Sequence, residues 1–127
     1  MHTIGTLDRE KYSQISPNII SDEVILTNNR IEHIKERRGE KFFEEYSAYF
    51  GDIVKDPDYI FSDSKENTAI ACKTILKNGE SVNIVVRLAI EGDDPTYKNS
   101  IITAVKESKK RFAQRLRNNT PVYTKRT

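Results

Sequence analysis

The chain has 127 residues, 31% of them charged, with a formal net charge of +2 and a single cysteine. That length fits one domain able to bury its own core, and lone Cys72 excludes an internal disulfide framework, while the lack of paired cysteines or a Cys/His cluster argues against structural zinc. No apolar run approaches membrane-spanning length and the N-terminus lacks a signal-peptide pattern, so the expectation is a cytoplasmic protein with no membrane partner.

In chain order, residues 1–10 are expected as a flexible arm before one domain over 11–127. Tyr12 to Ile15 reads as a short edge strand stopped by Pro17. Residues 23–26 form a brief apolar run. Thr27 then offers a hydroxyl cap to a helix over 28–38, which Gly39 ends. Ile31 and Ile34 would face the core, while Arg30, His33 and Arg37 recur at i, i+3 and i+7 on the adjoining face. A second helix is expected over 40–54, with Phe42, Phe43, Tyr46, Tyr49, Phe50 and Ile53 as its apolar stripe and Pro57 closing it. The period then changes. Residues 59–61, 68–76, 82–90 and 100–105 read as strands. Asn78-Gly79 predicts a two-residue turn that pairs Ile75 with Val82 and Lys73 with Ile84. A looser turn over 92–95, a basic helix over 109–117 and an edge strand at 121–123 complete an α+β pattern.

The charges are unevenly spread. Residues 1–66 hold nine Lys/Arg against fourteen Asp/Glu, and residues 67–127 hold twelve against five. Such asymmetry suits a polyanion partner or an acidic protein. Phosphodiester cleavage in RNA fits what the basic residues could do. The ribose 2′-hydroxyl is itself the nucleophile, so an enzyme needs only to move protons and to stabilise charge on phosphate. No compact set of carboxylates resembles a two-metal site, so neither metal nor cofactor is expected.

His33 is the best titrating candidate, since histidine ionises near neutrality; His2 is read as inert. Arg30 and Arg37 beside His33 could grip phosphate. Arg87 interrupts an apolar run and must reach a carboxylate of the first half, solvent or a ligand. Lys73 is a similar interruption, and the hairpin parity turns it and Arg87 to opposite faces. Ser100 and Thr103 are candidate hydrogen-bond donors to phosphate. From Lys106 onward, Lys109, Lys110, Arg111, Arg115 and Arg117 would ring a helix anchored by Phe112 and Leu116, a surface for a phosphate backbone.

Several strings resemble one family in the same order: DEVILTNNRIEHIKER, DPDYIFSDSKENTAIACKTI, the VRL containing Arg87, YKNSIITAVK and QRLRNN. Together they are similar to a phage- and mobile-element-associated branch of the barnase–EndoU–colicin–RelE-like nucleases, over roughly residues 12–125. The resemblance implies two N-terminal helices packed on a four-stranded antiparallel sheet, with the short basic helix at the C-terminus. It also implies metal-independent RNA cleavage by a toxin or phage-defence effector acting on tRNA or mRNA, with an acidic immunity protein or antitoxin as partner. Catalytic roles carry over to His33 and Arg37, and further to Lys73, Arg87 and Ser100. Arg30, Arg38, Tyr97, Lys98, Asn99, Thr103, Lys106, Arg111 and Arg115 are the expected RNA contacts. One position departs: the family usually has a second histidine after the arginine, where this chain has Arg38 and then Gly39. Tyr97 and Lys106 are the substitutes for a missing acid. The alternative reading is an inactive RNA-binding or protein-interaction module of a mobile element.

Overall fold

The first residues, expected as an arm, pair as a strand in the computed structural model, which describes residues 2–75 and 79–126. This strand, β1 (His2–Thr6), runs antiparallel to β2 (Glu23–Leu26). Between them, the strand expected at Tyr12 is replaced by a single helical turn, α1 (Arg9–Tyr12), which Asp8 caps by accepting from the Glu10 N–H. Tyr12 is wholly buried, and its hydroxyl donates to the Val54 carbonyl at 2.7 Å.

Thr27 and Gly39 bound α2 (Asn28–Arg38) as expected. The Thr27 hydroxyl accepts from the Arg30 N–H at 3.3 Å. Gly39 stops the helix at φ 98°, where side chains are strained. The expected helix over 40–54 is broken into α3 (Glu40–Tyr46), a 3₁₀ turn at Ser47–Tyr49, and α4 (Phe50–Lys55). Gly51 lets α4 lie directly on β1: a Cβ there would stand 2.7 Å from the Ile4 carbonyl oxygen.

The remaining elements are β3 (Tyr59–Ser62), β4 (Thr68–Thr74), β5 (Ser81–Arg87), β6 (Asn99–Glu107), α5 (Lys109–Asn118) and β7 (Tyr123–Thr124). One seven-stranded sheet has the order β1-β2-β6-β5-β4-β3-β7. The pair β2–β6 is parallel and the other neighbours are antiparallel. The fold is therefore α+β with a mixed sheet, which corrects the expectation of two helices on four antiparallel strands. The antiparallel meander β3 to β6 forms its centre. Short strands extend it at both edges through pairings with distant or brief partners, which leave little local sequence signal.

The β4–β5 register also differs from expectation, by two residues. Lys73 faces Val82 and Ala71 faces Ile84. The Ile75 N–H donates to the Glu80 carbonyl, so the reversal takes more than two residues; Asn78 lies outside the described residues. A shift of two preserves side-chain parity, and Lys73 and Arg87 do point to opposite faces of the sheet.

One face carries Val24, Leu26, Ala71, Val82, Ile84, Val86 and Ala104, packed with Ile34, Phe50, Ile53 and Val54 from the helices. The other carries a smaller cluster in which α5 seats Phe112 and Leu116 on Phe61, Cys72, Tyr59 and Ile70. No helix among the described residues is long and apolar enough to cross a membrane.

Candidate active site

Arg87 ends β5 and Ser100 stands opposite it near the start of β6. The connection 88–98 folds back between them because its backbone is tied at several points. Leu88 N–H donates to Asn67 O, and Ala89 O accepts from the Ile20 N–H. The amide of Asn99, fully buried, makes three bonds: its oxygen accepts from Ala89 N–H at 2.8 Å, and its nitrogen donates to Ser21 O at 2.6 Å and Glu23 O at 3.0 Å. Asn99 thereby fastens the connection and β2 to the start of β6.

A carboxylate of the first half was one of the alternatives the sequence left open; Arg87 finds its anion within this connection. Its guanidinium donates to the Leu88 carbonyl and lies 3.4 and 3.5 Å from the two Asp93 carboxylate oxygens. Asp93 also accepts from the Ile90 N–H at 2.9 Å. That backbone bond, reinforced by the nearby Arg87 charge, holds the Asp93 carboxyl below the usual range. The Arg87 side chain retains 38% of its exposure, so it is oriented without being sealed off.

A groove of about 410 Å³ opens beside it. Ile25, Leu88 and Ala89 give it an apolar lining, and Arg87, Thr96, Tyr97, Lys98 and Ser100 complete it. Ile25 belongs there because it pairs with Ser100 across the parallel join. Lys98 has Glu23 as a neighbour at 3.3 Å. Thr103 lies further along β6, opposite Val85, and its hydroxyl is buried with no hydrogen-bond partner among the described residues. A second cavity of about 440 Å³ beside α1 mixes Asp8 and Glu10 with Lys11 and Tyr123. Its Lys11 already pairs with Asp56, so that cavity concentrates no positive charge.

The other sequence-derived candidates fall into separate groups. Lys73 is on the helix-covered face, where its ammonium donates to Asp56 O at 2.7 Å and lies 3.4 Å from the Asp56 carboxylate and 3.7 Å from Asp52. Lys106 is on that face too, 5.5 Å from the Tyr46 ring centroid and 3.5 Å from Glu80. Arg38 reaches a free stretch of β6 backbone. Strand β2 pairs only with Asn99 and Ser100 of β6, and Arg38 Nε donates to the Ala104 carbonyl further along at 3.0 Å. Arg30 and His33 are half-buried on α2 and Arg37 is exposed. On the opposite face, Arg115 makes paired bonds of 2.9 and 3.2 Å to Glu107, while Arg111 is exposed on the outside of α5. The structure thus brings Arg87, Tyr97, Lys98 and Ser100 together and leaves Lys73, Lys106 and Asn99 engaged elsewhere. Sequence reasoning missed Asp93, Ile25, Leu88 and Ala89. Gly92 at φ 103° turns the chain just before Asp93, and the turn expected there was the available signal.

Among the described residues, no group of three or more His, Cys, Asp or Glu is arranged to hold a metal ion. A partly exposed guanidinium and an ammonium beside this groove have the chemistry to hold an anionic ligand. A family model described as phage-Barnase-EndoU-ColicinE5/D-RelE like nuclease2 matches residues 1–124, and the chain belongs to that nuclease family. Comparisons with curated proteins and with solved structures gave no significant match.

Proposed function

We propose that the chain is a metal-independent endoribonuclease that works in the groove beside Arg87. The observation that carries this reading is Arg87 itself, held by Asp93 and Leu88 O yet partly exposed beside Ser100, Tyr97 and Lys98. Fixed cations of this kind stabilise charge as it develops on a phosphate, without having to reorganise during the reaction.

In this mechanism the ribose 2′-oxygen attacks the adjacent phosphorus and the bond to the 5′-oxygen breaks. The products are a 2′,3′-cyclic phosphate and a 5′-hydroxyl. Arg87 and Lys98 hold the non-bridging oxygens, and Ser100 donates a hydrogen bond to one of them. The 2′-hydroxyl proton passes to water in the open groove. His33 and Arg37 take no part in this site: α2 packs through Ile34 on the helix-covered face, whereas Ile25, Arg87 and Ser100 turn to the other one. Tyr97 returns a proton to the leaving 5′-oxygen; it lines the groove, whereas Lys106 is engaged by Tyr46 and Glu80 on the other face.

The substrate in this reading is tRNA or mRNA, the setting is a cytoplasmic toxin or phage-defence effector, and an acidic immunity protein or antitoxin covers the basic surface. Exposed Lys109, Lys110 and Arg111 on α5 would track the phosphate backbone. One observation favours a second reading, a module that binds RNA or protein without cutting. Arg38, standing where the family usually has a histidine, spends its guanidinium on the Ala104 carbonyl.

Incubating the purified protein with total RNA, with and without EDTA, separates the two. The nuclease reading expects cleavage that persists in EDTA and leaves 2′,3′-cyclic phosphate ends. RNA that stays intact, or cleavage that EDTA abolishes, would overturn it.

A further inference from the structure

We propose that the open edge of β6 is a docking site for an extended, acidic segment of another protein, which adds to the sheet as a strand. The proposal goes beyond the nuclease reading, and neither the edge nor its test involves RNA.

Strand β6 runs from Asn99 to Glu107, but β2 accompanies it only at Asn99 and Ser100. The join stops where β6 carries a bulge. Val85 faces Thr103 and Val86 faces Ile101, so Ile102 is an extra residue. A bulge bends a strand and increases its twist, which here turns the rest of β6 off the line of β2. Past it, residues 103–107 pair with β5 and with no strand on the outer side. That stretch is about 17 Å long at the usual rise per residue. Among the described residues, the sole hydrogen bond reaching the outer side comes from Arg38, whose Nε donates to the Ala104 carbonyl at 3.0 Å. Backbone groups alternate sides along a strand, so the amide and carbonyl of Lys106 share the orientation of those of Ala104. An unpaired row of this kind is a template for another strand.

Two further observations describe the occupant. Ile102 and Val105 are half-buried, yet neither packs into the two hydrophobic clusters. Both are β-branched, and the side chains of an added strand would cover them. The charged groups at this edge are led by cations: Arg38 and its neighbour Arg37 are exposed, and Lys106 keeps 40% of its exposure although Glu80 lies 3.5 Å away. Arg38 has no ion pair among the described residues and bonds a neutral carbonyl instead. In the free protein its charge guards the edge against a second copy, which would bring the same charge. When an acidic strand arrives, a backbone N–H of that strand takes the Ala104 carbonyl, and the freed guanidinium pairs with a carboxylate beside it.

The test uses a fluorescein-labelled hexapeptide that alternates glutamate and valine. It is titrated into the full chain by fluorescence anisotropy, and backbone amide exchange is followed by NMR. The open edge predicts saturable binding and slowed exchange of the Ala104 and Lys106 amides. N-methylation of alternate peptide residues, which removes the pairing donors, abolishes binding. Replacing the glutamates with threonine weakens binding about threefold, the scale of an exposed charge pair. Arg38→Ala removes that difference; the side chain is exposed at the end of α2, so the variant folds. No saturable binding up to about 1 mM, equal binding of the N-methylated peptide, slowed exchange at β1 or β7 in place of β6, or a glutamate preference that survives Arg38→Ala overturns the proposal. A chain that sediments as a dimer and is dispersed by the peptide overturns it too, because the edge then belongs to a second copy.

Discussion

The two faces of the sheet hold their cations differently. On the helix-covered face, Lys73 meets the Asp56 carbonyl, the Asp56 carboxylate and Asp52, as many partners as an ammonium has donors. Lys106 lies between Glu80 and the Tyr46 ring. On the other face, Arg87 is braced by Leu88 O and Asp93 through its two terminal nitrogens, while a guanidinium has five N–H donors. Counting basic residues does not distinguish these sites. What separates them is how much hydrogen-bonding capacity remains and whether a groove adjoins it.

The sharpest way to break this comparison is to remove a residue that the family resemblance groups with the site but that the fold uses as a clamp. Asn99→Leu would leave the Ala89 N–H and the Ser21 and Glu23 carbonyls without their partner. Each such buried group costs about 1–3 kcal/mol, so the expected loss in chemical denaturation is on the order of 3 kcal/mol or more. A loss below about 1 kcal/mol would mean Asn99 is no clamp.

Gly51→Ala comes next and probes the β1 edge. The added methyl would stand 2.7 Å from Ile4 O, and overpacking of this kind costs about 1–3 kcal/mol. An unchanged melting temperature would show that β1 does not rest on α4.

Acid should loosen the helix-covered face. Hydrogen bonding from Lys125, aided by Lys11 and Lys73, holds the Asp56 carboxyl below its ordinary value. Its contribution is complete above the unfolded carboxylate pKa, about 4, and fades as the pH falls through the lower folded value. Thermal melts at decreasing pH should therefore show a loss below about pH 4, and Asp56→Asn should flatten it. Lys73→Met removes one of the ammonium partners of Asp56 and should cost about 1 kcal/mol. The smallest effect is chemical: burial pushes the Cys72 thiol up to about 12, so alkylating reagents at pH 8 should label it only after unfolding.

Legibility in the sequence followed the range of the interactions. Local chemistry was readable: the Thr27 cap, the Gly39 stop, the central strands and α5 each follow from residues a few positions apart. The hairpin register was missed by two, yet parity alone put Lys73 and Arg87 on opposite faces. Strand β1 and the β2–β6 pairing were not readable, because short strands gain their stability from partners far along the chain. The break between α3 and α4 was hidden by an aromatic stripe that continues through it. Arg87 was conspicuous as a charge in an apolar run. Its anion, Asp93, lies in a turn whose folded course decides which carboxylate reaches back, and the Ile25 wall depends on a parallel join that no local pattern announces.

The most direct measurement of the account is single-turnover RNA cleavage in EDTA by wild type and by Arg87→Ala, with folding of both checked by circular dichroism. The account predicts a rate lower by about 10²–10³-fold in the folded variant, the usual consequence of losing one fixed group that stabilises developing charge. An Arg87→Ala protein that cuts at the wild-type rate would contradict it and move the active site off this face of the sheet.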